Sequence, residues 1–151
     1  MNFNSCYLVS SLAELSSGGW QSVIPDSEAD VKKVKRIVLC SGKVYYDLLE
    51  QVRAEKQDNT ALIRIEQLYP FPTSELTAQL TRYPKVKDIV WCQEEPKNQG
   101  AWYCTQHHLL SCVAKSQTVH YVGRPASAAP AVGSPLVHAQ EQQMLVKEAL
   151  N

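Results

Sequence analysis

KRIVLCSGKVYYDLLEQV, residues 35–52, decides the fold. Its first six residues, KRIVLC (35–40), are a short β-branched run. SGK follows, and then a stretch in which Val44, Tyr45, Leu48, Leu49 and Val52 recur on one helical face. Strand, tight turn and helix in so few residues predict the first half of a βαβ unit, whose parallel strands need a crossover helix between them.

Working outward, the unit repeats. TALIRI (60–65) is a second strand signal; Pro70 and Pro72 then break the chain, and Thr73 or Ser74 is placed to cap a helix carrying Leu76 and Leu80. DIVWC (88–92) predicts a third strand, Ala101 to Val113 a helix and TVHYV (118–122) a fourth strand. Ser134 is suited to N-cap a last helix with Pro135 in its first position, running to about Leu150. Upstream, GGWQSVI (18–24) is a candidate edge strand and PDSEADVKK (25–33) a polar connector. Strands alternating with helices predict an α/β domain of three layers around a mostly parallel sheet covered on both faces.

The 151 residues suit one domain, and 44% hydrophobic with 20% charged residues is an ordinary globular composition. Basic and acidic residues balance at 15 each, which removes the net positive field that a non-specific nucleic-acid or anionic-membrane binder uses. No stretch reaches the roughly 18 apolar residues of a membrane span, and the N-terminal residues lack the basic start and apolar centre of a signal peptide. Cys6, Cys40, Cys92, Cys104 and Cys112 show no disulfide-framework spacing, which points to a reducing compartment.

In an open parallel sheet, ligands gather beyond the carboxyl ends of the strands. Three segments belong there: Ser41-Gly42-Lys43, Glu94 to Gly100, and Gly123 to Gly133. The first has two readings, an anion site at a helix N-terminus or a helix capped by Ser41 with Lys43 in solvent. In WCQEEPKNQGAW (91–102), Glu94 and Glu95 are adjacent and point to opposite faces, so they do not form a catalytic pair. The expected role is a rigid corner: one glutamate accepts backbone N–H bonds or an arginine, Pro96 stiffens the loop, Gly100 permits the turn, and Trp91 and Trp102 pack on either side. Arg124 either binds a phosphate or partner carboxylate or makes an internal salt bridge. His138, early in the last helix, is expected to face solvent or a neighbouring subunit. Cys104, His108 and Cys112 share a helical face, but the outer two stand about 12 Å apart along the axis, too far for one zinc ion. No metal site, nucleophile elbow or dinucleotide glycine motif is expected.

The strings CSGKVYYDLLEQ, RIEQLYPFP, VKDIVWCQEEPKNQGAWYCTQHH and YVGRPASAAPAVG, with His138 and the Gln/Glu-rich helix after it, resemble the C-terminal domain of the thiamine-diphosphate-dependent decarboxylating component of 2-oxoglutarate dehydrogenase. The resemblance runs over about residues 9–151. It implies a transketolase C-terminal-type fold: three α/β/α layers around a five-stranded mixed sheet of order 1-3-2-4-5, its first strand, from GGWQSVI, antiparallel to the rest. It divides the chain into a leader at 1–8, disordered or carried over from cloning, a lead-in at 9–34 and the α/β domain at 35–151.

The parent subunit implied by the resemblance decarboxylates 2-oxoglutarate on thiamine diphosphate with magnesium and passes the succinyl group to the lipoyl arm of an acyltransferase partner. The cofactor-binding domains lie upstream of this chain, which has no cofactor of its own, no catalytic residue and no activity alone. Its implied partners are those upstream domains and the second subunit of the parent dimer, which read the corner of Glu94, Glu95, Asn98, Gln99 and Trp102. Some relatives bind AMP or acetyl-coenzyme A nearby, which makes Ser41, Lys43 and Arg124 candidate phosphate contacts. The competing reading is a stand-alone nucleotide- or anion-binding module. A bacterial cytoplasm is the expected location, a mitochondrial matrix the alternative, and self-association through faces bared by the missing domains is expected.

Overall fold

A computed structural model describes residue 16 and residues 18–151. The expected leader at 1–8, the first part of the 9–34 lead-in and Cys6 lie outside the described residues. Five strands, β1 (Val23–Ile24), β2 (Arg36–Cys40), β3 (Thr60–Ile65), β4 (Asp88–Gln93) and β5 (Thr118–Gly123), alternate with four helices after β2: α1 (Val44–Glu55), α2 (Thr73–Thr81), α3 (Trp102–Cys112) and α4 (Pro135–Leu150). The sheet order is β1-β3-β2-β4-β5. β1 runs antiparallel to β3, and every other pair is parallel, so the expected order and the antiparallel first strand from GGWQSVI are both found.

The strand sequence sorts the two faces. Ile37 and Leu39 of β2 join Ile63, Ile89 and Trp91 under α2 and α3, where Leu76, Leu80 and Leu109 close one core. Val38 and Cys40, one step out of phase, join Leu62, Val90 and Cys92 under α1 and α4, where Val44, Leu48, Leu145 and Ala149 close the other. Side chains alternating across a strand buried on both faces account for the near-continuous apolar runs at 36–40 and 60–65. β5 at the edge is less covered: Thr118 and His120 are exposed, Val119 and Tyr121 half-buried, and Val122 is buried.

Helix starts differ from the sequence expectation. Lys43, not Ser41, is the residue before α1, because Gly42 turns the chain at φ +74° directly after β2. Pro72 precedes α2, and the Ser74 hydroxyl donates to Glu75 at 2.7 Å rather than capping. Ser134 does precede α4 with Pro135 at its start, yet its side chain makes no capping bond. The polar connector holds a residue that composition did not flag. Asp26 accepts from the N–H of Glu28 (2.8 Å) and Ala29 (2.9 Å), and its second oxygen accepts from Leu62 N–H at 2.8 Å. That bond satisfies a β3 donor beyond the two-residue reach of β1.

Candidate functional site

The three segments expected at the carboxyl edge meet there, and the residue that organises them is Gln93, the last of β4. Its side chain is 3% exposed. The amide oxygen accepts from Trp91 Nε1–H at 2.9 Å and from Trp102 N–H at 3.0 Å, and its nitrogen donates to the carbonyls of Glu95 and Pro96 at 3.2 Å each. One amide therefore ties strand end, loop and helix start, using both of its acceptor and both of its donor positions. The expected backbone-holding carboxylate is not what fixes the loop. An amide does it, because carbonyls as well as N–H groups converge here and a carboxylate has no proton to offer the carbonyls.

Gly100 sits against this amide. A Cβ there would overlap the nitrogen, carbon and oxygen of the Gln93 amide, so the glycine is required by close approach. Gln93 cannot swing aside without breaking its four bonds. Gly100→Ala is expected to destabilise the fold by about 2 kcal/mol, the usual scale of overpacking a tight site. Urea unfolding checks it, and in a Gln93→Ala background the penalty should vanish.

Around Gln93 the loops are joined by charge. Arg124, 7% exposed just after β5, donates from Nε to Glu141 (2.9 Å) and from a terminal nitrogen to Gln142 Oε1 (2.9 Å), both on α4, and from its other terminal nitrogen to the Glu94 carbonyl. Of the two readings of Arg124, the geometry shows the internal salt bridge. His138 packs beside this guanidinium, 3.5 Å away and half-buried, rather than standing free in solvent. Lys43 is not given over to solvent either: its ammonium lies 2.7 Å from Glu94 Oε2, which also accepts from Gln142 at 3.3 Å. Gln142 donates in turn to Asp47 of α1 at 2.7 Å. Lys43 and Arg124 thus reach the corner already paired, while Ser41 sits half-exposed at the turn.

The far side of the loop is stitched to residues after β5. Asn98 and Ser127 bond reciprocally at 3.0 Å in both directions, and Gln99 donates to the Ser127 carbonyl at 2.6 Å. Trp102 tilts over Tyr121 with ring centres 5.3 Å apart, and Lys97 lies 5.0 Å over the same phenol ring. Glu95 is exposed. The Tyr121 hydroxyl donates to the Arg124 carbonyl at 3.0 Å. Burial, and secondarily the nearby Cys92 thiol, pushes the Tyr121 phenol up to about 12.

A group whose folded pKa is raised contributes stability that is present below its unfolded pKa, about 10 for tyrosine, and lost as pH rises toward the folded value. Stability should therefore fall between about pH 10 and about pH 12. Tyr121→Phe should flatten that part of an alkaline unfolding curve.

Among the described residues no three or more His, Cys, Asp or Glu side chains stand together as a metal-binding group. Cys104 is exposed and Cys112 buried, and the ring of His108 stacks on Phe71 at 5.0 Å. The corner's cations, Lys43 and Arg124, are occupied by carboxylates.

The family described as 2-oxoglutarate dehydrogenase C-terminal matches residues 9–150. The chain belongs to that family. It is 56% identical over 144 residues to the 2-oxoglutarate dehydrogenase E1 component of Haemophilus influenzae, covering 95% of this chain and 15% of that protein. To the E1 component of Coxiella burnetii it is 54% identical over 145 residues, covering 94% and 16%. To that of Rickettsia felis it is 43% identical over 151 residues, covering 95% and 15%. The chain thus spans about one-sixth of the length of these relatives.

Proposed function

We propose that this domain braces the decarboxylating component of a 2-oxoglutarate dehydrogenase, with the corner around Gln93 as a fixed-shape surface for the upstream domains or the second subunit. The observation that carries the reading is the saturation of the corner. Gln93, Arg124, Lys43 and Glu94 are all bonded to one another or to neighbouring groups, which makes a rigid polar surface with no poised acid, base or nucleophile. An anion such as AMP or acetyl-coenzyme A would have to displace Glu94 from Lys43 and Glu141 from Arg124 to use those cations. The parent, on this reading, decarboxylates 2-oxoglutarate on thiamine diphosphate and magnesium held by its upstream domains, in the cytoplasm, and delivers a succinyl group to a lipoyl acyltransferase. No helix of the described residues is long and apolar enough to cross a membrane.

Exposed apolar side chains support an assembly role. Leu136 and Met144 on the outer face of α4 are 70% and 69% exposed, and Tyr69 is 91% exposed. Leu136 and Met144 project from one helix, and apolar side chains exposed along a helix are suited to contact with a covering surface.

The purified chain supplied with thiamine diphosphate, magnesium and 2-oxoglutarate should release no carbon dioxide; turnover that rises with chain concentration overturns the reading. Calorimetric titration with AMP and acetyl-coenzyme A should give no heat that Lys43→Ala and Arg124→Ala abolish. Sedimentation should show self-association that rises with concentration and that Leu136→Glu with Met144→Glu suppresses. A chain that stays monomeric throughout removes that support.

A further inference from the structure

At the opposite edge of the sheet, the amino ends of β2 and β4 open into a cleft of about 720 Å³. Its two rims come from Val31–Lys35, the connector into β2, and from Arg82–Asp88, the loop from α2 into β4. The rims carry Lys32, Lys33 and Lys35 on one side and Arg82, Lys85 and Lys87 on the other. A chain whose 15 basic and 15 acidic residues cancel has gathered six of its cations around one concavity. The only acidic residue in the lining, Asp88, is already held by Arg36 at 2.5 Å and approached by His120 at 3.6 Å. Lys33 pairs with Asp58 at 2.8 Å, and Arg82 bonds Gln79 at 2.9 Å. Lys32, Lys35, Lys85 and Lys87 are exposed and make no ion pair among the described residues.

The floor between the rims is apolar. Val34, Tyr83 and Val86 are buried there, with Val31 and Pro84 at the margin, and the Tyr83 hydroxyl is buried without a hydrogen-bond partner among the described residues. Backbone donors that would cradle a phosphate are spent elsewhere. Lys32 N–H bonds the Asp30 side chain, those of Lys33 and Val34 bond the Asp30 carbonyl, that of Lys35 bonds the Asn59 carbonyl and that of Val86 the Tyr83 carbonyl. Recognition falls to ammonium groups on flexible stems, spread along two rims over a greasy floor. That suits carboxylates distributed along a chain with aliphatic side chains between them, rather than one compact, bidentately held anion.

We propose that this cleft docks an acidic polypeptide segment bearing interspersed aliphatic residues, supplied by a partner protein. Its carboxylates pair with Lys32, Lys35, Lys85 and Lys87 while its aliphatic side chains cover the exposed Val31 and Pro84. The site lies across the sheet from the corner around Gln93 and does not depend on the bracing role.

The test is fluorescence anisotropy of this chain with a labelled peptide of glutamate and leucine residues at low salt, beside its glutamine counterpart. The acidic peptide should bind, the glutamine peptide should not, and affinity should fall steeply with salt because exposed charges are screened within about 10 Å at 0.1 M. Lys32→Gln, Lys85→Gln and Lys87→Gln combined should weaken binding by about tenfold, from exposed pairs each worth a fraction of a kcal/mol. Lys56→Gln, Lys115→Gln and Lys147→Gln, which remove the same charge elsewhere, should leave binding unchanged. Thermal melts confirm that both variants fold. Absence of binding to the folded chain at low salt overturns the proposal, as does equal loss in both variants. So does full competition by millimolar inorganic tripolyphosphate with the leucines dispensable, which would make the cleft a small-anion site.

Discussion

Gln93→Leu is expected to cost about 4 kcal/mol of folding free energy, since each buried donor or acceptor left unpaired costs about 1–3 kcal/mol. Leucine fills much the same volume, so the loss does not come from a cavity. It leaves Trp91 Nε1–H and Trp102 N–H without their acceptor and the Glu95 carbonyl without the amide donor, and it takes one of three donors from the Pro96 carbonyl. The Trp91 Nε1–H carries the largest share, because its bond is buried, whereas Glu95 is exposed and the Pro96 carbonyl still accepts from the N–H groups of Gln99 and Gly100. At about 2–4 °C per kcal/mol for a chain of this size, the melting temperature should drop by about 12 °C. Gln93→Glu separates hydrogen bonding from shape. Its carboxylate accepts from both tryptophans but faces two carbonyls, so burial and these carbonyls raise its folded pKa. Its deficit should therefore grow as pH rises through the carboxyl range and shrink in mild acid, where the protonated group can donate again. A pH-independent deficit would mean that the amide's bonds do not hold the corner.

Arg124→Ala should be next in size, at about 3 kcal/mol, near the lower end of what removing one partner of a buried ion pair costs. Three groups on two elements lose a common tie: the Glu94 carbonyl in the loop after β4, and Glu141 and Gln142 on α4. Glu141 is 29% exposed and regains water, which keeps the penalty below that of a fully enclosed pair. The first turns of α4 have little else to hold them, because the buried residues of that helix, Leu145, Val146, Ala149 and Leu150, all lie in its second half. Hydrogen exchange should accelerate across the early turns of α4 in the variant while its end stays protected. Arg124→Lys should recover only part of the loss, since one ammonium cannot reach a carboxylate, an amide and a carbonyl in the geometry of the planar fork.

The layered fold was legible because β2, β3 and β4 are buried on both faces, and burial on both faces leaves an unbroken apolar run that only a covered parallel sheet explains. GGWQSVI was a candidate edge strand from its residues, but the order and antiparallel sense of β1 came by resemblance, since Val23 and Ile24 are too few for a periodic signal. Helix starts were less legible where turn geometry overrode side-chain preference, as at Gly42 before α1 and Pro72 before α2. The segments of the corner were legible as strand ends, and their meeting is seen in the pairs Lys43–Glu94 and Asn98–Ser127. Gln93 was not legible, because a glutamine at a strand end carries no charge or spacing signal. The sequence did hold one clue, a polar residue continuing the period of a buried strand beside a glycine-bearing loop. The lysine-rich cleft was hidden by a net charge of zero, which averages over the whole surface and says nothing of how two separate segments come together.

The bracing account is tested most directly by sedimentation and turnover measured together on the full parent subunit carrying Arg124→Ala. It predicts a dimer that dissociates at concentrations where the unaltered subunit holds together, with turnover lost in proportion to dimer and restored by raising subunit concentration. An intact dimer whose turnover is abolished would contradict it, because the corner would then be contributing to chemistry rather than to assembly.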